Sequence, residues 1–452
     1  MQGTVLAIGI LCSVLVLTLR PKYALVVYIT ALLWFPDYLR VSIGTIDISA
    51  GRIIITVLLL RCLNNDQLRS RFRWSQLDKW VALSMIVYVG MTIITQPTFA
   101  SIENRGGFVI DTWFTYLVAR FIITDREKLI SIIKCIGIAL IPLAILGCVE
   151  SVSGWQPFEP LKSLRPWHQT TGTEEIIREK RWGLTRAVGP FSHPILFGSG
   201  FAMFLPLIYY LRHEKNNWRR KAYILSVVVI IGALSSMSSG PWVMTIVVIF
   251  CLIIEKYQQW VRHILKFFIF SCIIVEILSN RTFYHVIFCR ASRLGGAGWH
   301  RARLIDAAIE NFNEWWLAGY GGKDPGWGHY FGMPFTDVTN EFILAGVKYG
   351  LAGLVILCIV LVVAFRGLIS ARKKTTNPAD RSLYWALGCI LLAVTVVWMS
   401  VSFFGQLIPL FYCVLGMIGS VSGFGEFRRV LVKRVILNHQ SQEPDLIQSH
   451  SF

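Results

Sequence analysis

Long apolar runs separated by short polar joints dominate the chain. A helix crosses the hydrocarbon of a bilayer with about 20 mostly apolar residues. Runs of that kind occupy residues 5–19, 24–39, 48–63, 81–95, 108–123, 129–149, 194–211, 222–234, 242–254, 264–278, 351–365, 383–404 and 407–421. They predict an all-α polytopic membrane protein with about 12–13 transmembrane helices. The first run lacks the basic start and small-residue cleavage site of a signal peptide, which predicts that it is retained.

The polar joints alternate in charge. Arg69, Arg71, Arg73 and Lys79 form one basic cluster; Arg212, Lys215, Arg219, Arg220 and Lys221 form a second. Arg372, Lys373, Lys374 and Arg381 make a third, and Arg428, Arg429, Lys433 and Arg434 a fourth. All four fall on one side of the span list, and short basic loops stay cytoplasmic. The C-terminus is therefore expected inside, and the N-terminus outside for an odd span count. The chain then divides into N-terminal spans (1–149), a first outer loop (150–193), central spans (194–278), a second outer loop (279–350), C-terminal spans (351–424) and a cytoplasmic basic tail (425–452). Within the spans Asp111, Arg120 and Lys134 are the main charges, and snorkelling to the inner surface accounts for the last two.

Composition agrees. Of 452 residues 54% are hydrophobic and 15% charged, against about a quarter charged in soluble domains, so a soluble protein is excluded. The net charge of +18 reads as a topology signal, and nucleic acid is not an expected partner. Nine of the ten cysteines lie in or beside apolar runs, where a thiol behaves as a small hydrophobe, Cys289 being the exception. No CxxC or HxxxH spacing occurs, and neither a metal nor a cofactor is implied.

Chemistry is expected in the two outer loops, which are long and rich in Trp, Gly, Arg and His. The first ends in RAVGPFSHP, which sets Arg186 and His193 at the lipid–water boundary around a bend at Gly189 and Pro190. An interfacial Arg and a helix-capping His are the plainer reading of the same pattern. The second loop carries helical spacing from Arg301 to Leu317, with Leu304, Ile305, Ala308, Ile309, Phe312, Trp315 and Trp316 on one face. Arg303, Asp306, Glu310, Asn313 and Glu314 take the other face, so the helix should lie on the membrane surface or over the bundle mouth. Arg301 heads the apolar stripe, away from those acids, and needs an anionic partner from elsewhere. The glycines of GYGGKDPGWG, Gly319 and Gly321 among them, present a weaker case for a backbone phosphate cradle.

Taken in order, RxxGxFxHP before a span, an Arg-headed helix ending in GYG, and D-V-x-N-E leading into GLAG and a span resemble the O-antigen ligase and O-antigen (polysaccharide) polymerase superfamily of bacterial inner-membrane glycosyltransferases. The resemblance is best from Arg186 to Leu354. It implies a GT-C-like bundle in the bacterial inner membrane and a metal-independent transfer, facing the periplasm, from an undecaprenyl-pyrophosphate-linked glycan. A chain-length regulator or export complex would be a natural partner, beside membrane lipid. By this resemblance Arg186 and Arg301 hold the pyrophosphate, with Arg303 and His193 beside them. Gly189, Gly319, Gly321, Thr339 and Asn340 would support the site. Thr339 stands where the family usually has His, and a Thr hydroxyl is no base near neutral pH. That role then passes to Asp337, Glu341 or a histidine such as His300. The expected activity is polymerisation of repeats; transfer to lipid A-core by a ligase is the alternative, and a flippase for lipid-linked oligosaccharides is the rival from another class.

Overall fold

The computed structural model describes residues 2–162, 180–291 and 298–421. Of the basic and aromatic groups in the sequence, Arg165, Trp167, Arg178 and Arg293 lie outside the described residues, as does the C-terminal tail. The described chain is an all-α, membrane-embedded protein. Five helices are long and apolar enough to cross a membrane: Gln76–Thr95, Arg126–Ser153, Pro194–His213, Glu341–Lys374 and Pro378–Trp398. Gly3–Thr18, Pro21–Trp34 and Leu407–Val421 are shorter apolar helices.

The chain begins with α1 (Gln2–Thr18), α2 (Pro21–Trp34), a hairpin of β1 (Arg40–Ile43) and β2 (Ile46–Ser49), α3 (Ala50–Leu63), α4 (Gln76–Thr95) and α5 (Phe99–Val109). After them come α6 (Thr115–Ile122), α7 (Arg126–Ser153), α8 (Pro194–Tyr210), α9 (Trp218–Ser235), α10 (Ser239–Ile254) and α11 (Val261–Leu278). The second outer loop holds α12 (Phe283–Ala291), α13 (Gly298–Glu310) and α14 (Phe312–Trp315); α15 (Glu341–Lys374) and α16 (Pro378–Trp398) follow, with α17 (Leu407–Val421) last.

Helix α8 is the axis of the bundle. It is apolar all round, and nearly every side chain from Leu196 to Leu211 is buried, as expected of a helix enclosed by others. Small residues let the neighbours approach: a Cβ at Gly147 of α7 would press on the Phe197 ring and the Ser235 hydroxyl. Helix α11 is the opposite case, with Phe267, Phe270, Ile277 and Leu278 all exposed, a surface that suits hydrocarbon.

Several details depart from the sequence reading. Between the second and third apolar runs the chain forms a short β-hairpin, turned at Gly44 with φ +65°. The helix expected from 351 begins ten residues earlier, at Glu341, because Asn340 caps it by accepting the Phe342 and Ile343 amides. It bends at Gly350, whose φ of +70° and close approach to the Leu317 carbonyl leave no room for a side chain. The surface helix from Arg301 to Leu317 is broken at Asn311, where the side chain turns back to donate to the Ala307 carbonyl at 2.8 Å. Its inner face holds Leu304, Ala307, Ala308 and Trp315, while Ile309, Phe312 and Trp316 stay exposed.

Arg120 does not snorkel. It is forked onto Asp78, with Nε to Oδ1 at 2.7 Å and Nη2 to Oδ2 at 2.8 Å, and Tyr116 also donates to that carboxylate. Lys134 faces Glu214 at 3.6 Å. Asp78 is fully buried, so removing it strands a guanidinium inside the bundle. Asp78→Ala is expected to cost about 3–5 kcal/mol, read as a lower thermal unfolding midpoint in detergent; an unchanged midpoint would contradict this account of the pair.

Candidate functional site

The turn RAVGPF is built by a buried carboxylate. Glu150, near the C-terminal end of α7, accepts the amides of Val188 at 2.8 Å and Gly189 at 2.9 Å through Oε2. Gly189 takes φ +53°, and a Cβ there would strike the Phe197 ring, so both conformation and space require glycine. Held by this turn, Arg186 is 2% exposed and donates from Nη2 to the Ser238 hydroxyl at 2.6 Å. His193 caps α8, its Nδ1 accepting the Ile195 amide at 3.1 Å. Burial first, then the positive charges of Arg186 and Arg181, push its pKa down to about 3. The ring is therefore neutral, as an amide acceptor must be.

Across the second loop, the two arginines of α13 part company. Arg303 is paired with Asp306 at 3.4 Å and Glu310 at 3.1 Å and lies over the Tyr330 ring. Its charge is already answered, and it does not join the other cations; this corrects the expectation that it sits beside Arg301. The reason is helical geometry, since Arg303 shares a face with residues three and seven positions on, whereas Arg301 stands about 200° away round the helix. Arg301 makes no hydrogen bond or ion pair among the described residues. Burial, and then the nearby Arg181 charge, lower its pKa, and Asp337 opposes them. A guanidinium stays charged even so.

Asp337 and His300 complete this group. Solvent reaches Asp337, yet the surrounding protein raises its pKa, against the lowering effect of His300 and Arg301. Burial lowers the pKa of His300, whose ring packs on Phe331 at 4.3 Å between centroids and whose Nε2 is buried with no partner among the described residues. Arg181 acts electrostatically both on His193 of the first loop and on Arg301 of the second, and so lies near both. Arg181 was visible in the sequence only as one more loop cation.

The remaining candidates lie elsewhere. Gly319 and Gly321, with φ +69° and +67°, serve a turn whose Tyr320 amide donates to the Val347 carbonyl, so they dock the loop on the bend of α15. Asn340 is buried as a helix cap and donates to the Met399 carbonyl at 3.0 Å, and the Thr339 hydroxyl is buried without a partner among the described residues. Glu341 points away from the loop group into a second space, accepting the Phe403 amide at 2.9 Å. That space is a cavity of about 840 Å3 lined by residues of α2, α3, α5, α15 and α17. Gln406 forms part of the partition, donating to both the Phe35 and Pro190 carbonyls. Among the described residues no group of three or more His, Cys, Asp or Glu side chains could hold a metal ion.

Acid should weaken the fold through these rings. A histidine whose folded pKa lies below its unfolded value of about 6.5 binds its proton more readily when unfolded. The stability it contributes is complete above pH 6.5 and is lost as pH falls toward the folded value, near 3 for His193. The unfolding midpoint is expected to fall from pH 7 to pH 5, and less steeply in His193→Asn, which can still cap the helix; an equal slope in the variant would contradict this.

No protein-family model matches the chain, and no curated protein matches it.

Proposed function

We propose that the chain is a glycosyltransferase that polymerises undecaprenyl-pyrophosphate-linked oligosaccharide repeats on the outer face of the bacterial inner membrane, as an O-antigen or exopolysaccharide polymerase. The observation that carries this reading is Arg301, a half-buried guanidinium with no ion pair among the described residues, near Arg181, whose charge also acts on His193 of the first loop. Such a cluster of cations at a bundle mouth fits a ligand with several anionic oxygens, and a diphosphate accepts forked hydrogen bonds from guanidinium.

Transfer from a pyrophosphate asks little of the protein beyond placement and charge. The acceptor hydroxyl oxygen bonds to the anomeric carbon, and the bond from that carbon to the pyrophosphate oxygen breaks. The electron pair leaves with the lipid diphosphate, where Arg186 and Arg301 stabilise it. The hydroxyl proton passes to Asp337 or to the neutral ring of His300. Arg303 has no part in this scheme, and Glu341 none in the proton transfer.

Glycan profiling of a deletion strain tests the reading. Single repeats without long chains are expected; long carrier-linked chains with bare lipid A-core would make the protein a ligase. The charge-lined cavity favours one further reading, a flippase, because ionisable groups within a bundle often mark a transport path. Single repeats trapped on the inner face would establish that reading and end the other two.

A further inference from the structure

We infer that the cavity of about 840 Å3 beside the loop group is a saccharide site selective for an acidic sugar, its carboxylate taken by Arg105 and Lys348. The volume lies in the range of about 300–1,000 Å3 usual for small-molecule sites. The lining carries five carboxylates, Asp37, Asp47, Glu103, Asp111 and Glu341, and four cations, Arg40, Arg52, Arg105 and Lys348. Arg52 is forked onto Asp111 at 2.7 Å, and Thr45 donates to Glu103. Asp47 accepts the Ser42 hydroxyl at 2.6 Å. Two of the cations make no ion pair among the described residues. Lys348 makes no hydrogen bond or ion pair among the described residues; Glu341, two turns earlier on the same face of α15, acts on it electrostatically from beyond ion-pair distance. Arg105 has only neutral partners, the Tyr349 hydroxyl at 2.5 Å and the Asn104 side-chain oxygen at 2.7 Å, while its Nε is buried without one. Both line the same cavity and the Arg105 charge acts on Lys348, so an anion bound between them relieves a like-charge interaction.

The rest of the lining is that of a sugar site. Tyr88 and Tyr349 stack at 4.5 Å between centroids, and Trp398 and Tyr412 add further aromatic surface for the apolar faces of a pyranose. Asp47, Glu103 and Gln406 supply acceptors and a donor for hydroxyls. As the place where an acceptor repeat is held, the cavity rests on the glycosyltransferase reading; as a binding site it does not.

The test is calorimetric titration of the purified full chain in detergent with methyl β-D-glucuronide, methyl β-D-glucoside and inorganic phosphate, each alone. The glucuronide is expected to bind at least tenfold more tightly than the glucoside or phosphate. Lys348→Met should abolish that preference, Lys348→Arg should restore it, and a thermal unfolding midpoint near that of wild type confirms a folded variant. Arg105→Gln should weaken the glucuronide at least tenfold. Equal binding of glucuronide and glucoside, phosphate binding as tight as the glucuronide, or indifference to both substitutions would overturn the inference. Because the assay reads binding alone, its failure leaves the deletion-strain profile untouched, and a negative profile leaves the titration untouched.

Discussion

Arg301→Ala is expected to slow chain extension by about 10²–10³-fold, the loss seen when one preorganised donor to a developing anion is removed. The charge has no protein partner to release among the described residues, so its removal leaves no stranded acid, and the fold should be spared. Arg301→Lys should recover only part of the rate, because an ammonium is a point charge and cannot fork across two phosphate oxygens. Arg303→Gln is the control. Its guanidinium is spent on Asp306 and Glu310, and its loss should leave extension within about twofold of wild type, an exposed ion pair being worth 0–1 kcal/mol. Chain-length profiles of the complemented deletion strain read all three. Full activity in Arg301→Ala, or equal damage from Arg303→Gln, would refute the assignment.

The second large effect concerns the proton. A positioned general base contributes about 10²–10⁴-fold. Asp337→Asn removes a carboxylate whose basicity the surrounding protein raises and whose charge acts on both His300 and Arg301. Extension is expected to fall by about 10²-fold or more. His300→Gln keeps a hydrogen-bonding side chain of similar reach without a titrating nitrogen. A loss comparable to that of Asp337→Asn places the proton on the ring; a small loss leaves it on the carboxylate. Near wild-type rates in both variants would remove general-base catalysis from the scheme. Because the pKa of His300 is lowered, the ring is neutral at pH 7 and the rate should fall only as acid protonates it.

What the sequence made legible follows from which interactions are local. Apolar runs of membrane length are read from composition alone, and helices lie on each of the thirteen. Arg301 stood out because its isolation from Asp306 and Glu310 is a matter of helical periodicity within one segment. The start of α15 is also written locally, in Asn340 before Glu341, but the apolar run begins later, so composition alone places the start at 351. The hairpin at 40–49 was hidden by its brevity, four residues a strand. Contacts between distant positions were out of reach. Nothing near Arg120 in the chain points to Asp78, 42 residues away. Arg105 and Tyr349 are separated by 244 positions, and the cavity they share appears only once the helices are packed.

The central claim is that Arg186 and Arg301, from separate outer loops, hold one diphosphate. Titration of the purified protein with geranyl pyrophosphate tests it most directly, with wild type, Arg186→Gln, Arg301→Gln and the double variant side by side. Each single change should weaken binding at least tenfold, in line with about 1.5–3 kcal/mol for a hydrogen bond to a charged group. Geranyl monophosphate should bind less tightly and lose less in the variants. Affinities within twofold of wild type in folded Arg301→Gln and in the double variant would contradict the account.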